Sequence, residues 1–324
     1  MYNPDKMKVI RLQAENIIIN RMGTTISLTI THPNSRELLQ QAEAMLIDFE
    51  KRFSANDPSS DLMKINQHAG IKPIKVDRDL FNLIKIGKNI SISSDAIMNV
   101  TIGPLVKLWR IGFDDARLPG DEEIKERLQL IDPKNIELDE VEATVYLSKN
   151  GMEIDLGALA KGYFADILKD FFLKNGVQAG IIDLGGNVLT IGTSPKQQDG
   201  YWRVGIQNPF KSRGNLLAVV AVKDQSVVTS GIYERTLQVG KKAYHHILDS
   251  KTGYPIENDV ASVTIVSDLS IDGEIWTTLL FAKNTKEGIQ WLNQIDGIEG
   301  VIVSKNGDVY VSNQLKSHIT VVKP

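Results

Sequence analysis

Two hydrophobic periods share this 324-residue chain without alternating strictly, and that mixture restricts its architecture more than any other feature. Leu38, Leu39, Ala42, Met45, Leu46 and Phe49 recur at helical spacing and predict a helix from Ser35, a suitable N-cap, to Phe53. A second stripe of Leu80, Leu83, Ile84 and Ile90 predicts another ending near Ser91, although Gly87 falls on its apolar face at a cost in helix propensity. Over 135–156 the pattern turns to strands. Apolar runs flank Asn150-Gly151 and again Asn306-Gly307, and each pair predicts a hairpin. Residues 158–175 read as a helix stopped by Gly176, with Leu159, Tyr163, Ile167 and Phe171 on one face. Strands are predicted at 180–184, 202–206, 217–222 and 262–266, and late helices at 271–282 and 286–294. A strict strand–helix rhythm would make a doubly wound sheet. Its absence predicts an α+β fold, with mixed sheets flanked by helices.

Composition removes whole classes of function. Thirty-seven basic against forty acidic side chains leave a net charge of −3 and a pI near 6.0, with no basic block to serve nucleic acid. No cysteine is present, which excludes disulfides, thiolate nucleophiles, iron–sulfur clusters and thiolate zinc sites together. Five histidines argue against a zinc cluster. Hydrophobic content of 42% and charged content of 24% suit a globular chain, long enough for two units or one large body. No apolar run approaches the ~18 residues that span a bilayer, and the polar start, MYNPDKMKVIRLQ, reads as a trimmed chain without a signal-peptide core.

Neither a P-loop nor a G-x-G-x-x-G after a strand occurs, so the chemistry must sit elsewhere. Asp155-Leu156-Gly157-Ala158-Leu159-Ala160-Lys161-Gly162 runs from a strand end into a helix start. Free amides there attract anions and Lys161 adds a positive charge, which suits phosphate; a capped helix with a surface lysine explains the segment equally well. Gly185-Gly186 after a hydrophobic strand lets backbone approach a ligand, or simply turns the chain. His245 and His246 point to opposite faces of a strand, so they are no chelating pair. Glu274 and Thr278, four apart on a helix, share a face on which carboxylate and hydroxyl oxygens suit magnesium; an acid favoured by the helix dipole is the plainer reading. Together the segments suggest a pyrophosphate-containing ligand.

Taken in order, these segments resemble the ApbE family of FAD:protein FMN transferases. The resemblance covers residues 21–278 through Met22-Gly23-Thr24, Phe53-Ser54, Ser60-Asp61-Leu62, Thr101-Ile102-Gly103-Pro104 with Trp109, DLGALAKG, DLGGN, VVTSG with Tyr233-Glu234-Arg235, HHILDSKTGYP and SVTIVSD. It implies an ApbE-like, T-fold-related domain over 21–324 after an N-terminal extension over 1–20. It also implies FAD and Mg2+ as ligands, a threonine of an acceptor flavoprotein as target, and release of AMP. Met22 and the Met98, Asn99 and Thr101 stretch match the flavin pocket, Asp155 and Lys161 match FAD contacts, and Gly185, Gly186 and the Ile247 and Leu248 backbone lie beside the cofactor. Ala158 matches a backbone-carbonyl metal ligand, Glu274 and Thr278 the side-chain ligands, and His246 the histidine of an H-x-x-D segment; His246 is expected to accept the threonine proton, with Asp249 orienting it and with Asp155 or a metal-bound carboxylate as competing bases.

Several positions depart from the family pattern. Glu274 stands where aspartate is usual, with Asp272 nearby to assist; Asn99 replaces aspartate and Ser250 replaces proline. Asn56 occupies the place of an aromatic that covers the flavin, which opens FAD hydrolysis to FMN and AMP as an alternative, beside a non-catalytic flavin carrier. The resemblance further implies an extracytoplasmic protein, lipid-anchored in its precursor.

Overall fold

The computed structural model describes residues 13–94 and 97–322. The chain enters through the hairpin β1 (Ala14–Arg21) and β2 (Thr24–Thr31), followed by α1 (Ser35–Phe53) and α2 (Asp61–Gln67). A short β3 (Ile74–Lys75) leads to α3 (Arg78–Ser93), α4 (Gly103–Trp109) and α5 (Asp121–Leu128), then to β4 (Ile136–Asp139) and β5 (Thr144–Leu147). Next come α6 (Ala160–Lys174), β6 (Ala179–Leu184), β7 (Asn187–Gly192), β8 (Trp202–Gln207), β9 (Leu216–Val222), β10 (Ser226–Gly231), β11 (Thr236–Val239) and β12 (Lys242–His245). The chain finishes with β13 (Val260–Ser267), α7 (Ser270–Phe281), α8 (Thr285–Leu292), β14 (Glu299–Ser304), β15 (Val309–Val311) and β16 (Ile319–Val321).

An eight-stranded sheet in the order β1-β2-β6-β7-β10-β13-β14-β15 forms the body. Helices α1, α6 and α7 pack on one face, and the small sheet β16-β9-β8 packs on the other. Strand β13 is buried along its whole length because both of its faces are covered. Val227 and Val228 of β10 show the same division: Val227 joins the core under the small sheet, while Val228 abuts Gly273 of α7. Period-2 alternation thus sends neighbouring residues into different cores.

The α+β class holds, with two corrections of detail. Every strand pairing among the described residues is antiparallel rather than mixed, because hairpins join β1 to β2, β6 to β7 and β14 to β15 and the longer connections return the chain in the opposite direction. The extension expected over 1–20 is, from Ala14 onward, the edge strand of the main sheet, paired residue by residue with β2; residues 1–12 lie outside the described residues. Helices α1 and α3 form where the apolar stripes lie, and the Asn306-Gly307 hairpin joins β14 to β15. The hairpin expected at Asn150-Gly151 does not form. Strand β5 pairs instead with β3 and β4, and the side chain of Asn66 takes both polar groups of Ile154, accepting its N–H at 2.8 Å and donating to its carbonyl at 3.0 Å. An amide side chain copies a strand partner there, so 152–154 needs none.

Candidate active site

The site begins where α6 crosses α7. A Cβ on Gly162 would lie 2.6 Å from the Ser270 carbonyl oxygen and 2.8 Å from Cγ of Glu274, so only glycine lets the helices approach this closely. The α7 start is fastened from the neighbouring helix: Asp166 of α6 accepts the Ser270 N–H at 2.7 Å and the Ile271 N–H at 2.9 Å. Burial pushes the Asp166 carboxyl up to about 6, against the pull of those two N–H donors. Asp272, in the first turn of α7, adds like charge to Asp166.

Close approach brings Lys161 Nζ within 3.6 Å of Glu274 Oε1. Glu274 is 4% exposed, and a buried carboxylate needs partners. Asn187 donates from Nδ2 to Oε1 at 2.9 Å, and its own Oδ1 accepts the Ser270 hydroxyl at 2.6 Å. Asn187 follows the turn of Gly185 and Gly186, at φ +72° and +95°, which lifts β7 toward α7. The Thr278 hydroxyl donates to the Glu274 carbonyl at 3.0 Å, one turn back along the same face, and among the described residues its oxygen accepts no hydrogen bond. Ala158 lies in the turn preceding α6 rather than within the helix, and its carbonyl takes no backbone N–H among the described residues.

Asp155 ties this junction to a distant segment. Its N–H donates to the Val100 carbonyl at 2.9 Å, and its Oδ1 accepts the Gly157 N–H at 2.7 Å, shaping the turn rather than capping the helix. Burial raises its carboxyl above the usual range, while the Gly157 N–H and the charges of Arg235 and Lys107 draw it down. Beside it, Asn99 Oδ1 accepts the Thr101 N–H at 3.0 Å and the Thr101 hydroxyl at 2.7 Å, with both residues and Met98 buried. The side-chain oxygen of Asn99 therefore organises the approach to α4.

The remaining wall is the hairpin β11–β12 and the loop after it. His245 is buried and structural: its Nε2 meets the Ile256 carbonyl at 2.9 Å, and its Nδ1 accepts the Ile247 N–H at 3.3 Å. His246 places Nδ1 3.4 Å from the Arg235 carbonyl. A carbonyl only accepts, so Nδ1 carries the proton of the neutral ring and Nε2 is left as the base. Burial pushes the imidazole down to about 4, helped by the positive charges of Arg235 and Lys161 and opposed by the carbonyl contact. Asp249 does not hold this ring. Its carboxylate accepts the Lys251 N–H at 2.8 Å and the Thr252 hydroxyl at 3.2 Å, shaping its own turn. Ile247 gives its carbonyl to the Ile256 N–H, and Leu248 bridges to Pro255. Trp109 of α4 clasps this loop, donating from Nε1 to the Gly253 carbonyl at 2.8 Å and packing against Tyr244 and Tyr254.

Met22 is half-buried at φ +51° in the tight β1–β2 turn, its N–H held by Glu50 at 2.7 Å. Asn56 is exposed in the loop after α1, and among the described residues no side-chain hydrogen bond ties it to the other candidates. The structure therefore sets Lys161, three residues after Ala158, against Glu274, with Thr278 one turn on and His246 in electrostatic reach of Lys161; among the described residues no side-chain bond ties Asn56 or Asp249 to them. Sequence reading missed Asn187 and Asp166. The first closes the DLGGN motif, and the second sits four residues after Gly162, on the same helix face.

The donors fit a hard cation. Among the described residues no group of three histidine or acidic side chains could hold a metal alone. One carboxylate, one hydroxyl whose oxygen accepts no hydrogen bond among the described residues and one uncommitted carbonyl form an oxygen-only set, the kind magnesium uses when substrate phosphates complete its shell.

The ApbE family model matches residues 22–302. An FAD:protein FMN transferase of Klebsiella pneumoniae (strain 342) is 40% identical over 292 residues, covering 90% of each chain. One of Treponema pallidum (strain Nichols) is 34% identical over 296 residues, covering 88% of this chain and 80% of the other. Among solved structures, the ApbE protein of Thermotoga maritima superimposes with a TM-score of 0.86 at 29% identity, over 94% of this chain and 99% of that one. The flavin transferase ApbE of Vibrio cholerae gives 0.80 at 26% identity, over 94% and 100%.

Proposed function

The chain belongs to the ApbE family of FAD:protein FMN transferases, and on that premise we propose that it moves the FMN half of FAD onto a threonine hydroxyl of an acceptor protein, with magnesium bound. The observation that carries this reading is the α6–α7 crossing, where Lys161, three residues after Ala158, meets Glu274, with Thr278 one turn on. In the step, the threonine oxygen forms a bond to the FMN phosphorus while the bond from that phosphorus to the AMP oxygen breaks. Most of the catalysis is then placement and charge neutralisation. Lys161 stands beside the breaking bond and offsets the charge that collects on AMP. His246 accepts the threonine proton at Nε2, its ring oriented by the Arg235 carbonyl. Glu274, Thr278 and the Ala158 carbonyl would hold magnesium, which supplies Lewis-acid neutralisation of the pyrophosphate oxygens. Asp155, Met22, Met98, Asn99, Thr101, Gly185, Gly186, Ile247 and Leu248 shape the FAD pocket around this centre.

Asn56 supports a second reading, hydrolysis of FAD to FMN and AMP. It is exposed and offers no ring to cover the flavin, so water has access. One assay separates the two. The protein is incubated with FAD, magnesium and a peptide carrying an acceptor threonine. Flavin fluorescence that stays on the peptide through denaturing electrophoresis supports transfer; free FMN and AMP without labelling support hydrolysis. FAD recovered unchanged defeats both. We further propose that the protein works outside the cytoplasm, with any lipid anchor belonging to a precursor; fractionation of expressing cells tests this, and a purely cytoplasmic pool would refute it.

A further inference from the structure

Arg235 meets three parts of the site through three parts of itself. Its backbone carbonyl orients His246. Its stem lies along Gly112, where a Cβ would come within 2.7 Å of Arg235 Cδ and 3.1 Å of Cγ; at φ +94° that position is reserved for glycine in any case. Its guanidinium reaches toward the β1–β2 turn, with one nitrogen 3.9 Å from where a Cβ on Gly23 would stand, and its charge is felt by both Asp155 and His246. Among the described residues that guanidinium has no hydrogen bond and no ion pair. Neighbouring cations are spoken for: Lys107 pairs with Glu153 at 2.6 Å, Arg110 with Asp115 at 2.6 Å, and Lys161 with Glu274 at 3.6 Å. Arg235 is therefore a braced cation with an open fork, set between the β1–β2 turn and the histidine that its carbonyl orients.

We propose that Arg235 binds a phosphate of the flavin nucleotide through its guanidinium, so that the anionic part of the substrate is gripped between the β11–β12 hairpin and the α6–α7 crossing. The inference rests on the flavin-nucleotide reading above. A planar fork of five N–H donors matches phosphate oxygens in pairs, whereas lysine offers a point charge. Because the same residue holds His246 by its carbonyl, phosphate binding and placement of the base are linked through one backbone position.

The test compares FAD with riboflavin, which shares the ring system and lacks phosphate, by quenching of flavin fluorescence in EDTA so that a metal cannot mask the contact. Arg235→Gln should weaken FAD and FMN binding by about ten-fold or more and leave riboflavin binding unchanged, the usual scale for one charge-assisted contact. Arg235→Lys should fall between, and Gly112→Ala, which displaces the stem but keeps the charge, should weaken FAD selectively. Equal affinity of Arg235→Gln and the natural chain for FAD overturns the proposal, as does parallel loss of riboflavin, which would mark a residue that merely braces the loop. If the natural chain binds neither flavin, the functional reading itself fails; if it prefers FAD and Arg235→Gln prefers it equally, only this inference fails.

Discussion

The two halves of the site are built by opposite means. At the α6–α7 crossing Glu274 and Asn187 are buried, Lys161 is half-buried against them, and Asp166 fastens the crossing from behind, so the three inherit the rigidity of two packed helices. In the other half, His246 and Arg235 ride on a two-stranded ribbon outside the main sheet, with most of β11 and half of β12 exposed. A lone two-stranded hairpin is marginal in water. This one is held by Trp109 and by the Tyr254 hydroxyl, which donates to Asp121 of α5. The contrast teaches that one wall of the site is fixed by the core while the other is carried on an outlying ribbon braced from α4 and α5.

That contrast can be broken from either side. His246→Ala should lower turnover by about 10²- to 10⁴-fold, the range for a general base, while FAD binding survives; full turnover in a labelling assay would end its role. Its pH profile is informative in the natural chain. With the folded-state ring pushed to about 4 from the usual 6.5, the base stays free until pH falls near 4, so turnover should be level from pH 8 to about 5 and decline below. The same shift means that stability is lost as pH falls from 6.5 toward 4, because the unfolded ring takes up the proton first. An activity loss centred at 6.5 would show that the ring is not buried during the reaction.

On the helical side, Glu274→Gln keeps the shape and removes the charge, and magnesium-dependent turnover should drop about 10²- to 10³-fold, as for loss of one electrostatic group at a transition state. Retained magnesium dependence would remove Glu274 from the ligand set. Gly162→Ala forces the helices apart and should cost about 1–3 kcal/mol of stability in urea unfolding, with turnover falling alongside. A stable, active variant would show that the crossing has slack. Smallest in scale, Trp109→Phe loses the bond to Gly253, worth about 1 kcal/mol, and should raise KM for FAD several-fold while leaving the α6–α7 side untouched.

Legibility followed the same divide. The stripes of α1 and α3 and the apolar run of β6 declare themselves, because burial of a face imposes a period on sequence. That Glu274 and Thr278 share a helix face was legible for the same reason, the two being one turn apart. Long-range polar substitutions were not. That Asn66 would occupy both backbone groups of Ile154, 88 residues away, leaves no local trace, and it cancelled the hairpin that Asn150-Gly151 advertises. Asp166 capping a different helix, 104 residues on, is invisible for the same reason, since a cap is sought beside its own helix. Asp249 misled in the other direction: proximity in sequence to His246 suggested a partner, but its carboxylate is spent on its own turn.

The Asp166 clamp has a consequence for how such a chain can diversify. With Ser270 and Ile271 both anchored to α6, the two helices behave as one inherited part, and a change in either must be matched in the other before the fold tolerates it. The exposed edge of the outlying ribbon, away from the Trp109 and Arg235 contacts, carries a lighter debt to its neighbours. New acceptors can be explored by rewriting the ribbon's exposed edge, generation after generation, while the machinery that cuts the dinucleotide passes down unaltered.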